Sequence, residues 1–234
     1  MSQRHDLSLF QKGSDTMKKR VLFYGDSNTW GYIPGTGNRF PEDIRWPSVV
    51  GTILSDHIVA VESAISGRTT VYDDPLFASR NGRDGLGYAL ASHAPLDLVV
   101  LCLGVNDLKY VDAIASAKGF EELIRILENA DARYPLPLGS SNFPNGLKLL
   151  ILSPISLHPE IQQRRPDSSL RLGYEESLKY PELYQRIAKD HNAWFMNAAD
   201  YAEPSLKDCV HMDAESHLAL AEAVADKIRE IFEL

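Results

Sequence analysis

Three residues of this chain have the types and spacing needed for nucleophilic acyl chemistry: Ser27, Asp208 and His211. Asp208 and His211 sit three positions apart in Lys207-Asp208-Cys209-Val210-His211, just ahead of a helical segment. In a loop, that spacing lets a carboxylate accept from the imidazole Nδ1 while Nε2 points outward as a general base. Ser27 lies near the other end of the chain, in Gly25-Asp26-Ser27-Asn28-Thr29-Trp30-Gly31. A hydroxyl becomes a useful nucleophile only when such a base reaches it. Singly, each residue has a plainer reading: Ser27 as turn punctuation, Asp208 as a capping residue, His211 as an exposed loop histidine. Together they make a nucleophile, an orienting acid and a base.

Acyl transfer also needs donors aimed at the developing oxyanion. Candidates are the Ser27 N–H, the Gly67 N–H and the side-chain amide of Asn106, each in a short polar stretch after an apolar run. Asn106 is the most informative, because a neutral amide stabilises negative charge without offering a second base. Its plain reading is a turn residue before Asp107. A metal site built on Asp208, Cys209 and His211 is the chemical rival, yet the seven histidines show no second cluster at ligand spacing. No metal and no cofactor are therefore expected. Neither a phosphate loop nor a Gly-x-Gly-x-x-Gly turn follows the first apolar run, and the Gly-x-Ser-x-Gly elbow is absent too.

The elements that must position these groups follow from the hydrophobic pattern. Val21 to Tyr24 read as a buried strand behind a basic lead-in, and Asp26 and Ser27 are good N-cap residues for a helix starting near Asn28. Further strands are expected at 58–62, 96–103, 147–152 and 194–196. Helices are expected at 46–54, 84–93, 116–130, 179–190 and 214–232, the last with an inward face of Leu218, Ala221, Val224, Ala225, Ile228 and Phe232, widened at its edges by Leu220 and Ile231. Leu96 to Leu103 form the strongest run, the mark of an interior parallel strand covered on both faces. Regular alternation of strand and helix predicts a doubly wound α/β sheet. Residues 155–174 form a long excursion carrying Arg164 and Arg165.

Whole-chain properties narrow the partners. A formal net charge of -8 disfavours nucleic acid and anionic membrane. No run reaches membrane-spanning length and no signal core opens the chain, so a cytoplasmic protein is expected. The two cysteines, Cys102 and Cys209, are too far apart to suggest a disulfide framework and read as packed thiols. Residues 1–17 read as a flexible N-terminal arm, a cloning remnant or the stretch before an alternative start; residues 18–234 read as one domain.

Four short blocks, in order, resemble the SGNH hydrolases, or GDSL esterase/lipase family: Gly25-Asp26-Ser27-Asn28, Gly67, Gly104-Val105-Asn106-Asp107, and Asp208-Cys209-Val210-His211. Asn28 stands where the family usually has leucine, which should alter packing under the turn or a hydrogen bond near the pocket mouth. Thr29-Trp30-Gly31, Asp43-Ile44-Arg45-Trp46 and Gly67-Arg68-Thr69-Thr70 are similar to the bacterial arylesterase/acyltransferase branch. The resemblance implies a flavodoxin-like three-layer α/β/α sandwich with a five-stranded parallel sheet in the order 2-1-3-4-5. It also implies Ser27 as nucleophile, oxyanion donors from Ser27, Gly67 and Asn106, small short-chain acyl esters as substrates, acyl transfer to alcohols, and a homo-oligomer. Trp30, Tyr32 and Arg68 are the expected substrate-pocket residues, and Trp46 lines the entrance or packs in the core. A carbohydrate O-acetyl esterase, and a non-catalytic binding protein on the same fold, are the alternative readings.

Overall fold

The computed structural model describes residues 17–234; the expectation for the N-terminal arm therefore lies outside the described residues, apart from Met17. The chain runs through β1 (Lys19–Gly25), α1 (Ser27–Trp30), α2 (Trp46–Ile53), β2 (Ile58–Ala64), α3 (Gly82–His93) and β3 (Leu98–Cys102). A 3₁₀ turn (Val105–Lys109) leads to α4 (Ala113–Glu128) and the short α5 (Ala130–Arg133), then β4 (Leu149–Ser153). The excursion holds the single turn α6 (Ile161–Arg164), and α7 (Tyr174–Ser177) begins where it ends. The fold closes with α8 (Tyr180–Asp190), β5 (Trp194–Asn197) and α9 (Ala214–Phe232).

All five strands are parallel, in the order β2-β1-β3-β4-β5. The alternation of side chains along each strand explains why β1 and β3 read as unbroken apolar runs. Leu22 and Tyr24 face one way with Val99 and Leu101, under α3, α4 and α8. Val21 and Phe23 face the other way with Leu98 and Val100, under α2 and α9. Both faces are therefore dry, as a parallel sheet requires. Trp46 belongs to the second layer: it is buried and meets Phe23 edge-on at 5.3 Å, so its place is the core and not an entrance. On α9 the inward face is shifted toward its expected edge: Leu220 and Ile231 are buried, whereas Leu218, expected inside, is exposed.

Because β1 and β3 are neighbours while β2 lies outside β1, the chain reverses its winding between them. A crevice opens at the carboxyl ends of such a pair. The loops after β1 and β3 carry Ser27 and Asn106.

Candidate active site

Asp26 ends β1 as the N-cap of α1, its side chain accepting from the Asn28 N–H at 3.0 Å. That places Ser27 at the first position of the helical turn, one residue earlier than expected. Gly25 is required here, since a Cβ would fall 2.0 Å from Thr29 Oγ1.

The far end of the chain answers. His211 Nδ1 lies 2.8 Å from Asp208 Oδ2, and its Nε2 lies 2.9 Å from Ser27 Oγ across 184 residues of sequence. With Nδ1–H donating to Asp208, Nε2 is left to accept from the serine hydroxyl. Tyr32 stacks on the imidazole with ring centroids 4.2 Å apart, fixing its plane. Asp208 is held in turn: Oδ1 accepts from the Val210 and His211 N–H groups, and Oδ2 accepts from the Gly35 N–H. Burial alone would raise the Asp208 pKa, but the hydrogen bond and charge of His211 and the backbone donors outweigh it and hold it at about 2. The residue is a carboxylate throughout the neutral range.

Asn28 performs a task that a leucine could not. Its Nδ2 donates to the Val210 carbonyl at 3.2 Å and its Oδ1 accepts from the Met212 N–H at 3.0 Å. Both backbone neighbours of His211 are thus tied to the residue after Ser27. The expected hydrogen bond near the pocket is present, and it joins the two halves of the site.

Ser27, Gly67 and Asn106 line one cavity of about 570 Å³. Gly67 has φ +81°, a left-handed conformation that favours glycine, and a Cβ there would push aside the flexible end of Arg80. Asn106 Nδ2 reaches Asp26 Oδ2 at 3.4 Å, a loose contact that steadies the amide. Asp26 is fully enclosed, and burial raises its pKa to about 6 against the Asn28 N–H and the charge of His211. Beneath, Asp107 accepts from the Thr70 N–H at 2.8 Å, from the Thr70 hydroxyl at 2.6 Å and from the Ser116 hydroxyl at 2.7 Å. It ties the loops after β2 and β3 together.

The three expected pocket residues part company. Tyr32 lines the cavity. Trp30 lines an adjoining groove with Leu76 and Phe77, under the Arg39 guanidinium. Arg68 must be corrected: it is buried, donates to the Gly25 and Ser63 carbonyls, and lies over the Tyr24 ring, pinning the ends of β1 and β2 from below. The arginine that enters the cavity from this region is Arg80. Of the excursion's basic pair, Arg165 lines the cavity, while Arg164 is exposed and pairs with Glu160. Lys109 and Lys207 also line it and were not foreseen; Lys109 follows Asn106 by one turn, and Lys207 precedes Asp208.

Among the described residues, no cluster of histidine, cysteine or acidic side chains suits a metal ion. Nor is any described helix long and apolar enough to cross a membrane. Cys102 and Cys209 are both buried and free.

Fold and site together define a serine-type carboxylic ester hydrolase, and the comparisons agree. Residues 23–219 match the GDSL-like lipase/acylhydrolase family, to which this chain belongs. Among solved structures it is similar to a carbohydrate acetylesterase from Sinorhizobium meliloti, at 33% identity and TM-score 0.81, covering 92% of this chain and 100% of that one. It is also similar to the aryl esterase of M. smegmatis, at 28% identity and TM-score 0.79, covering 91% and 99%. A lipase/acylhydrolase from Enterococcus faecalis shares the fold, at 16% identity and TM-score 0.61, covering 91% and 96%. No curated protein matches the chain.

Proposed function

We propose that this protein hydrolyses small, short-chain acyl esters through an acyl-enzyme on Ser27. The observation that carries this reading is the 2.9 Å contact between Ser27 Oγ and His211 Nε2, made by residues from opposite ends of the chain. As Oγ attacks the ester carbonyl, Nε2 takes its proton, and the Asp208 carboxylate stabilises the resulting imidazolium. The tetrahedral oxygen sits among the Ser27 N–H, the Gly67 N–H and Asn106 Nδ2. Collapse breaks the bond to the alcohol oxygen, which leaves with the proton from Nε2. Water then attacks the acyl-enzyme, giving up a proton to Nε2; collapse releases the acid and restores the hydroxyl.

The cavity walls favour short acyl groups. Apart from Tyr32, Leu170 and Val210, the lining is polar or glycine, so a long alkyl chain finds little surface to bury against. The same polarity supports the second reading, in which the alcohol half is a carbohydrate: Ser66, Ser168 and Ser169 add hydroxyls to the wall. An acyl-enzyme open to solvent also passes its acyl group to an added alcohol, and the same assay reads that transfer.

The test is a panel of p-nitrophenyl acetate, butyrate and octanoate beside acetylated monosaccharides, with and without an alcohol acceptor. Acetate should exceed octanoate by about tenfold or more in kcat/KM, since about 1.4 kcal/mol of unfavourable fit already suffices. A rising rate with chain length would overturn the short-chain reading. Acetylated sugars turned over faster than the aryl acetate would select the carbohydrate one, and no turnover of any ester would leave a binding protein on this fold.

A further inference from the structure

In a chain with 24 basic and 32 acidic residues, the cavity above Ser27 runs against the average. Arg80, Lys109, Arg165 and Lys207 line it, and they come from four separate segments. The one lining carboxylate is Asp208, already engaged by His211 and by three backbone N–H groups. Arg80 is partly compensated by Asp74 at 3.7 Å, and Arg165 meets Asp167 at 3.3 Å on the exposed rim. Lys109 and Lys207 have no carboxylate within ion-pair distance among the described residues. Lys109 is half-buried, and burial holds its pKa below the usual lysine value. A concave site lined by one sign of charge concentrates ligands of the other sign.

The cations also have a side. The leaving alcohol must stand where His211 Nε2 can return its proton, so the alcohol half lies toward the His211 loop. Lys207 belongs to that loop. The excursion bearing Arg165 is tied to it by the His158 N–H, which donates to the Cys209 carbonyl at 3.0 Å, and Arg165 feels the Asp208 charge. Ser168 and Ser169, from the same excursion, offer hydroxyls beside them.

Resting on the esterase reading above, we propose that the preferred substrate is an ester whose alcohol half carries an anionic group, a carboxylate or a phosphate, received by Arg165 and Lys207 with Lys109 reinforcing the field. Neutral acetates react through the same serine but without this contact.

The experiment compares 4-acetoxybenzoate with 4-acetoxybenzamide, each rate normalised to alkaline hydrolysis so that leaving-group chemistry cancels. At low ionic strength the anionic ester should be favoured in kcat/KM by about tenfold, falling toward about twofold at 0.5 M salt as screening shortens to a few ångströms. The double variant Arg165→Gln/Lys207→Gln should bring the ratio near unity, while Lys118→Gln, an exposed charge removed from α4, should leave the ratio as it is in the wild type. 4-Acetoxyphenyl phosphate separates the two anions: a larger preference than for the benzoate selects phosphate, a smaller one carboxylate. A ratio at or below unity and flat in salt overturns the proposal, as does a high ratio indifferent to the double variant. So does a preference seen only with p-nitrophenyl hemisuccinate, whose charge is on the acyl half. If p-nitrophenyl acetate is not hydrolysed either, it is the esterase reading that has failed, and the proposal falls with it.

Discussion

The two halves of the site are built differently. Ser27, Gly67 and Asn106 stand at the ends of β1, β2 and β3, on backbone clamped by the sheet. Arg68 pins the carbonyls of Gly25 and Ser63, Asp107 joins the loops after β2 and β3, and the Tyr180 and Tyr184 hydroxyls donate to the Gly104 and Leu103 carbonyls. His211 has no strand beneath it. Its loop is held to the nucleophile half by the Asn28 side chain, by the Gly35 N–H on Asp208, and by the stack on Tyr32. The proposed oxyanion half stands on the sheet. The proposed general-base half stands on a loop with backbone bonds of its own, Ser205 N–H to the His211 carbonyl at 2.8 Å and His158 N–H to the Cys209 carbonyl at 3.0 Å. Its few ties to the nucleophile are where substitutions should reach the chemistry most directly.

The sharpest way to break this contrast is Asp208→Asn. The amide cannot receive Nδ1–H as a carboxylate does, so kcat on p-nitrophenyl acetate should fall by about 10³–10⁴ with KM little changed. The same variant has a signature in stability. The folded pKa of Asp208 is depressed to about 2, so its contribution is present above the ordinary carboxylate pKa and is lost as pH falls through about 2. Its worth at neutral pH is about 2 kcal/mol. The Tm gap between wild type and variant should therefore narrow between pH 4 and pH 2; a gap constant with pH would deny the charge its role.

Removing the proposed oxyanion donor, Asn106→Ala, should lower kcat by about 10²–10³ and leave the Ser27–His211 pair able to react with a fluorophosphonate. Asn28→Leu restores the residue usual in the family and cuts the clamp on Val210 and Met212. We expect a loss in kcat of about tenfold at unchanged KM, since a misplaced base weakens the transition state alone. Unchanged kcat would mean that the loop holds His211 without it. The smallest catalytic effect belongs to Arg68→Met. Two strand-end carbonyls lose their donor, which should destabilise the fold by about 1–3 kcal/mol in urea titration. KM should stay within about twofold, whereas a residue lining the pocket would move it further.

How much of this was readable in advance follows the same division. β1 and β3 are legible because a strand buried on both faces must be apolar throughout, whereas the Gly-Asp-Ser and Gly-Val-Asn-Asp turns at their ends are ordinary punctuation singly and become informative only beside the Asp208–His211 pair. The Asp208–His211 pair was legible because its spacing is local. Arg68 and Arg80 were not separable: both belong to one irregular segment with no periodicity to say which guanidinium is turned under the sheet. Lys109, Arg165 and Lys207 come from distant segments, and nothing but the folded chain brings them to one wall. On α9, Leu218 was placed inside and Leu220 only at the edge, because both lie near the border of the apolar stripe, where a small rotation decides which is covered.

The most direct test of the central claim is to trap the acyl-enzyme. Rapid acid quench during p-nitrophenyl acetate turnover, followed by peptide mass spectrometry, should find a single acetyl group of about 42 Da on Ser27. It should accumulate in Asn106→Ala if deacylation is slowed more than acylation, and be absent from Ser27→Ala. Acetylation at another residue, or full turnover by Ser27→Ala with no adduct, would contradict the account.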